Sequence, residues 1–253
     1  MINMDINNLK QIICGMPACV IKNVIAVYIY GSIARGDHDL NSDCDVLICV
    51  NNCDIQEYNL LKTEFLKKSI VENFEFSFYQ LNILEEMQKK GSYFLWHIKK
   101  EGILVYRASN IFDSILEKLP PYTGTFDDLC EYKDILKDVK ESIELDEVTI
   151  IYELSVLATL ARNTCIACCY IIGVMDFGRN SPIIKASAYL GEDFPFTLNE
   201  YINLYDYRLH VVRNKRIEKD EQLVIFVQNW VNKIDKLLNL VLKLEVLCNG
   251  KKQ

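Results

Sequence analysis

Apolar positions change their spacing once along this 253-residue chain. In the first half, short β-branched and aromatic runs alternate with segments of helical period. Residues 24–30 (VIAVYIY) and 43–50 (DCDVLICV) have the composition of buried strands. Residues 72–80 (ENFEFSFYQ) alternate, with Phe74, Phe76 and Phe78 on one side and Glu75, Ser77 and Tyr79 on the other, which predicts a third strand. Helical spacing is expected over 5–21 and over 55–71, where Leu60, Leu61, Phe65 and Leu66 form a stripe. Two shorter helices, 82–90 and 92–101, are separated by Gly91, and 102–107 (GILVYR) closes the series as a short strand. This succession implies a small mixed sheet with helices packed against it.

The run Leu119-Pro120-Pro121-Tyr122-Thr123-Gly124 interrupts the pattern, and beyond it the period is helical throughout. Helices are expected over 127–146, 148–173, 181–190, 197–214 and 220–247, with Gly173, Gly178, Pro182 and Pro195 between them. The expected architecture is α+β: a sheet domain over residues 1–119, then an all-α, antiparallel helical bundle over 125–253.

Charge and composition narrow the function. The net charge is −7, and the short basic pairs (Lys67-Lys68, Lys89-Lys90, Lys99-Lys100) have acids nearby. Proteins that grip nucleic acid carry a basic stripe, so a template-directed role is not expected. No apolar stretch reaches membrane-spanning length, and the start, MINMDINNLK, has no secretory pattern, so neither a membrane nor secretion is expected. The ten cysteines lie mostly in apolar runs, as buried thiols do, and Cys165-x-x-Cys168 has no partner pair at ligand spacing; a reducing cytoplasm follows.

The chemistry is concentrated in YGSIARGDHDLNSDCDVLICV, residues 30–50. Gly31 and Ser32 end the first strand. Asp43 and Asp45 lie at the start of the second, projecting to one face roughly 7 Å apart along the backbone. Two carboxylates on one face repel unless a cation lies between them, and hard oxygen donors suit Mg²⁺ completed by water and phosphates. Glycine admits backbone N–H groups close to a phosphate, and the Ser32 hydroxyl can donate to one. Arg35, in the same turn, has the donor fork for a triphosphate oxygen. Asp37, His38 and Asp39 read as loop groups, and Ser42 as a turn former.

Gly-Ser, ten residues, then Asp-x-Asp resembles the signature of the nucleotidyltransferase superfamily of DNA polymerase β type, in its minimal nucleotidyltransferase and aminoglycoside nucleotidyltransferase-like branch. The resemblance implies a nucleoside triphosphate co-substrate, ATP above others, with Gly31, Ser32 and Arg35 on the nucleotide and Asp43 and Asp45 on Mg²⁺. It also implies a third carboxylate on a neighbouring strand, as base or further metal ligand. Glu75 fits that place, with Glu72 the runner-up and Glu153 of the helical half a rival base. The stretch SYFLWHIKKEGILVY is similar to the segment that members of this branch carry after the third carboxylate, and His97 within it reads as part of a packed helix end. The implied reaction moves a nucleoside monophosphate to a hydroxyl on a small molecule such as an aminoglycoside. A partner protein as acceptor is the alternative, and a non-catalytic nucleotide-binding module a second one. A homodimer is compatible with the resemblance.

Two features of the helical half bear on this reading. Asp127, Glu131, Asp134, Asp138 and Glu141 form an acidic stripe, read as a solvated face rather than as a wall for a cationic acceptor. Arg208 precedes His210 by two residues, closer than the four to six of ribonuclease relatives in this branch, which speaks against that activity.

Overall fold

The computed structural model describes residues 2–38, 42–72, 74–145, 149–213 and 222–249. It divides into two compact units, Met1–Thr123 and Gly124–Gln253.

The first unit is built on four strands: β1 (Val24–Tyr30), β2 (Cys44–Val50), β3 (Phe74–Gln80) and β4 (Ile103–Arg107). Their order is β3-β2-β1-β4, with β1 antiparallel to both β2 and β4 and β2 parallel to β3. The parallel pair needs a crossover, which helix α4 (Ile55–Glu72) supplies. Strand alternation sends Val46, Ile48, Val50, Phe74, Phe76 and Phe78 to one face of the sheet. There they pack on α1 (Ile2–Cys14), α2 (Ala18–Ile21) and α4, whose Leu61 and Phe65 are fully buried. Leu47, Cys49, Tyr28 and Tyr79 line the opposite face, under α5 (Leu81–Lys89), α6 (Tyr93–Glu101) and α7 (Ile111–Glu117).

Three sequence readings change in detail. The helix expected over 5–21 is two, because Pro17 cannot continue α1 and instead occupies the N-cap position of α2. The Gly-Ser turn is itself a helical turn, α3 (Gly31–Arg35). Helix α7, absent from the sequence reading, forms where Phe112, Ile115 and Leu116 meet the core at helical spacing.

In the second unit, α8 (Thr125–Leu145), α9 (Ile150–Ile171), α10 (Ser181–Leu190), α11 (Leu198–Val212) and α12 (Gln222–Asn249) enclose one core. Helix α9 is long and apolar enough to cross a membrane by length and composition alone, against the expectation that no such stretch exists. Its buried positions, Leu154, Leu157, Ala158, Ala161, Cys165 and Cys168 among them, make it the central helix of this core. The acidic stripe of α8 (Asp127, Glu131, Asp134, Asp138, Glu141) is exposed, as a solvated face should be.

The loop before α10 is fixed by Asp176. This carboxylate accepts from the Gly178 backbone N–H (2.8 Å), the Ser181 hydroxyl (2.6 Å) and the Lys185 ammonium. Burial alone would raise its pKa, but the Lys185, Ser181 and Gly178 hydrogen bonds outweigh burial and hold it below the ordinary 3.8. A carboxyl whose folded-state pKa is depressed stabilises the fold above its unfolded value, and that contribution fades as pH falls through the folded value. Asp176→Asn should therefore lower the stability of this unit by about 1–3 kcal/mol at neutral pH. Denaturant midpoints should show a gap from wild type that is constant from about pH 7 to pH 5 and shrinks below about pH 4.

Candidate active site

Register brings the candidate residues together. Tyr30 of β1 pairs with Asp45 of β2, and Asp45 pairs with Glu75 of β3, so the three form one row across the sheet. The row shares its face with Leu47, Cys49 and Tyr79, the face covered by α5–α7. Asp43 precedes β2 and is exposed, on the same side as Asp45 by alternation. Glu75 is exposed at the start of β3. Asp39, and the side chain of Glu72, lie outside the described residues.

Gly31 lies against Asp45. Its φ is +72°, and a Cβ placed on it would overlap Asp45 Oδ2. Only glycine both adopts this conformation readily and leaves room for the carboxylate. The turn that begins there closes at Gly36 (φ +77°), whose N–H donates to the Ser32 carbonyl at 2.9 Å. Ser32 is thereby held on the second residue of the turn, half-buried beside the row.

The donor set is compatible with a divalent magnesium ion. Asp43 and Asp45 are hard oxygen ligands on one side of a strand, and Mg²⁺ is commonly held by one or two carboxylates with the rest of its shell from water and phosphates. A preformed three-carboxylate cluster is not present: among the described residues no group of three His, Cys, Asp or Glu side chains is placed to hold a metal ion. Glu75 faces Asp45, whereas the described β2–β3 pairing begins at Cys44–Phe74 and gives Asp43 no partner on β3.

Around the row lie groups the sequence reading did not single out. The Tyr30 hydroxyl is 3.1 Å from Ser77 Oγ, two strands away, so its side chain crosses β2 on the site face. Burial, with the Asp45 and Glu75 charges adding to it against the opposing Ser77 hydrogen bond, pushes the Tyr30 phenol up to about 12. Phe94 and His97 of α6 meet its ring edge-on, with centroids 5.5 and 5.6 Å away. Ser77 was legible through its alternation with Glu75. Tyr30 was not, because its long reach depends on the β1–β2–β3 adjacency.

Arg35 does not extend freely from the turn. Its Nε lies 3.2 Å from both Asp37 oxygens, and its Nη1 is 2.9 Å from Glu101 Oε2 and 3.3 Å from His97 Nε2. His97 Nε2 is also 3.0 Å from Glu101 Oε2. His97 is thus at a packed helix end, as expected, and also part of a polar network reaching the turn. The spacing His97-x-x-x-Glu101 was the available signal, since residues four apart on a helix are neighbours. Burial would raise the Glu101 carboxyl, but His97 and Arg35 outweigh it and hold it below the usual range.

Other candidates are occupied within the second unit. Glu153 is buried and accepts from Ser142 Oγ at 2.7 Å, a satisfied interior carboxylate. Arg208 donates to Thr159 Oγ1 at 2.7 Å.

Substituting Gly31 should show how tightly the carboxylate is seated. Gly31→Ala is expected to displace Asp45 and destabilise the first unit by about 1–3 kcal/mol, the cost of a residue forced into left-handed backbone beside an overlapping atom. Gly36→Ala, which has the same backbone sign but open space at its Cβ, should cost less in the same denaturation experiment.

Comparison with known proteins bears on this geometry. Residues 18–111 match the family model described as polymerase beta, nucleotidyltransferase. Among solved structures, the chain resembles spectinomycin adenyltransferase AAD(9) from Enterococcus faecialis, crystallised with ATP and spectinomycin, with a TM-score of 0.51 and 14% identity. The match covers 92% of this chain and 99% of that one, and at this identity it speaks for the fold. Comparison with curated protein sequences finds no significant match. The matched segment holds the whole Tyr30–Asp45–Glu75 row, so the candidate site lies within the part of the chain that matches the polymerase beta nucleotidyltransferase model.

Proposed function

We propose that the protein is a magnesium-dependent nucleotidyltransferase that moves AMP from ATP to a hydroxyl of a small-molecule acceptor of the aminoglycoside kind, releasing pyrophosphate. One observation carries the reading: Asp45 is seated on the bare Cα of Gly31 and directly opposite Glu75, so a phosphate-binding turn, a metal carboxylate and a candidate base occupy one row.

The chain's own residues divide the work. Ser32 and the backbone of the turn bind the β- and γ-phosphates, with Arg35 beside them. Asp43 and Asp45 would hold Mg²⁺, which when bound neutralises charge on the phosphates. The acceptor oxygen attacks the α-phosphorus and forms a new O–P bond. The bond to the bridging oxygen breaks, its electron pair leaves with pyrophosphate, and the hydroxyl proton passes to Glu75. Alignment and electrostatics carry most of the rate. The net charge of −7 suits a cationic acceptor better than a nucleic acid. The fold shared with an enzyme crystallised with ATP and spectinomycin supports ATP and a small hydroxylated acceptor. The buried thiols of Cys44, Cys49, Cys165, Cys168 and Cys169 fit a reducing, cytoplasmic setting.

The test is incubation with α-labelled ATP and Mg²⁺ against spectinomycin, a panel of aminoglycosides and a cell lysate. Label is expected on a small molecule and should vanish with EDTA. Label on a protein would replace the acceptor, and label on neither would remove the catalytic reading. Asp43→Asn with Asp45→Asn should lower the rate by about 10³-fold or more, and Glu75→Gln by about 10²- to 10⁴-fold, with thermal midpoints little changed. Undiminished labelling in the double variant would falsify the assigned site.

A further inference from the structure

We infer that Glu101 is a positioning residue: it holds the Arg35 guanidinium so that the remaining nitrogen, Nη2, is presented to a phosphate of the bound nucleotide. The inference rests on the function proposed above and concerns a residue outside the signature itself.

Arg35 offers donors on three nitrogens in a rigid plane. Asp37 takes Nε, and Glu101 with His97 takes Nη1. Nη2 has no hydrogen-bond partner among the described residues. Two of three nitrogens are therefore fixed from different directions, Asp37 from the end of the turn and Glu101 from α6, which determines the plane and direction of the third.

The network is sheltered, as a positioning device must be. The side chains of Arg35, Glu101 and His97 are only 17%, 11% and 15% exposed, whereas Asp37 is 41% exposed. An exposed ion pair contributes little and holds geometry poorly. The sheltered Glu101 contact is the stronger constraint, and His97 supports it through the i, i+4 contact on α6. His97 in turn packs edge-on against Tyr30, whose backbone pairs with Asp45. The clamp is thus attached to the same strand that sets the row.

Arg35 is paired with two carboxylates, so its value to an incoming phosphate is directional rather than a matter of net charge. This separates the inference from its rival, in which Glu101 merely competes with the nucleotide for Arg35. If Glu101 positions, removing its side chain weakens nucleotide binding; if it competes, removal tightens binding.

The experiment measures the affinity of the full chain for magnesium–ATP by isothermal titration calorimetry, which needs no acceptor. Glu101→Ala is expected to weaken binding about tenfold, the scale of one charge-assisted hydrogen bond. Glu101→Gln keeps the acceptor for Nη1 and should stay within about threefold of wild type, the rescue a purely electrostatic role would not give. In an Arg35→Ala background, Glu101→Ala should have no further effect, because its influence passes through Arg35. Unchanged or tighter binding in Glu101→Ala, or additive losses in the double variant, would overturn the positioning role while leaving the nucleotidyltransferase reading in place. Absence of magnesium–ATP binding by the wild-type protein would overturn both.

Discussion

The contact on which the site depends is a carboxylate packed against a missing side chain. Asp45 lies inside an otherwise buried strand, where an ionised group is costly unless something compensates it. Its carboxylate occupies the space that a Cβ on Gly31, which adopts positive φ, would fill. That same backbone conformation starts the turn carrying Ser32 and Arg35. The glycine thus couples the position of the Asp45 carboxylate to that of Ser32 and Arg35, and neither can be relocated separately. Strand pairing extends the coupling sideways: antiparallel β1–β2 puts Tyr30 on one flank of Asp45, and parallel β2–β3 puts Glu75 on the other.

The two faces of the sheet explain why this row can stay polar. One face is sealed by aliphatic and aromatic side chains beneath α1, α2 and α4, with the Phe65 ring meeting Phe76 and Phe78. That packing stabilises the unit without any help from the opposite face at its acidic end. The opposite face is apolar only further along, under α5–α7, and leaves Asp43, Asp45, Glu75 and Ser77 outside its core.

Much of this was legible in the sequence because local pattern and tertiary role agree. The run VIAVYIY and the alternation of ENFEFSFYQ specify strands and faces by themselves, and Gly31, Ser32, Asp43 and Asp45 are tied to one another by spacing within 15 residues. What was not legible depends on contacts distant in sequence. Glu101 meets Arg35 from 66 residues away, and Tyr30 meets Ser77 from 47. Helix α7 was missed because IFDSILE is too short for a convincing period. Glu153 looked functional as a charge within an apolar helix; its partner, Ser142, lies on a different helix, so the pairing that explains it could not be read from α9 alone.

The charge balance of the site arises from the same contacts. The turn Gly31–Arg35 contributes one cation, and that cation is engaged by Asp37 and Glu101. Its charge is therefore directed to Asp37 and Glu101, and the field of Asp45 and Glu75 is felt by the Tyr30 phenol, whose pKa they raise further above what burial does. Acidic side chains such as these attract cations and repel a naked triphosphate. On the function proposed above, nucleotide would approach favourably only in company with a divalent ion, so metal and triphosphate should bind as one unit. The same field favours a positively charged acceptor over a neutral one. On the function proposed above, a preference for Mg–ATP and a cationic alcohol would arise from where Arg35 is held, as much as from the aspartates themselves.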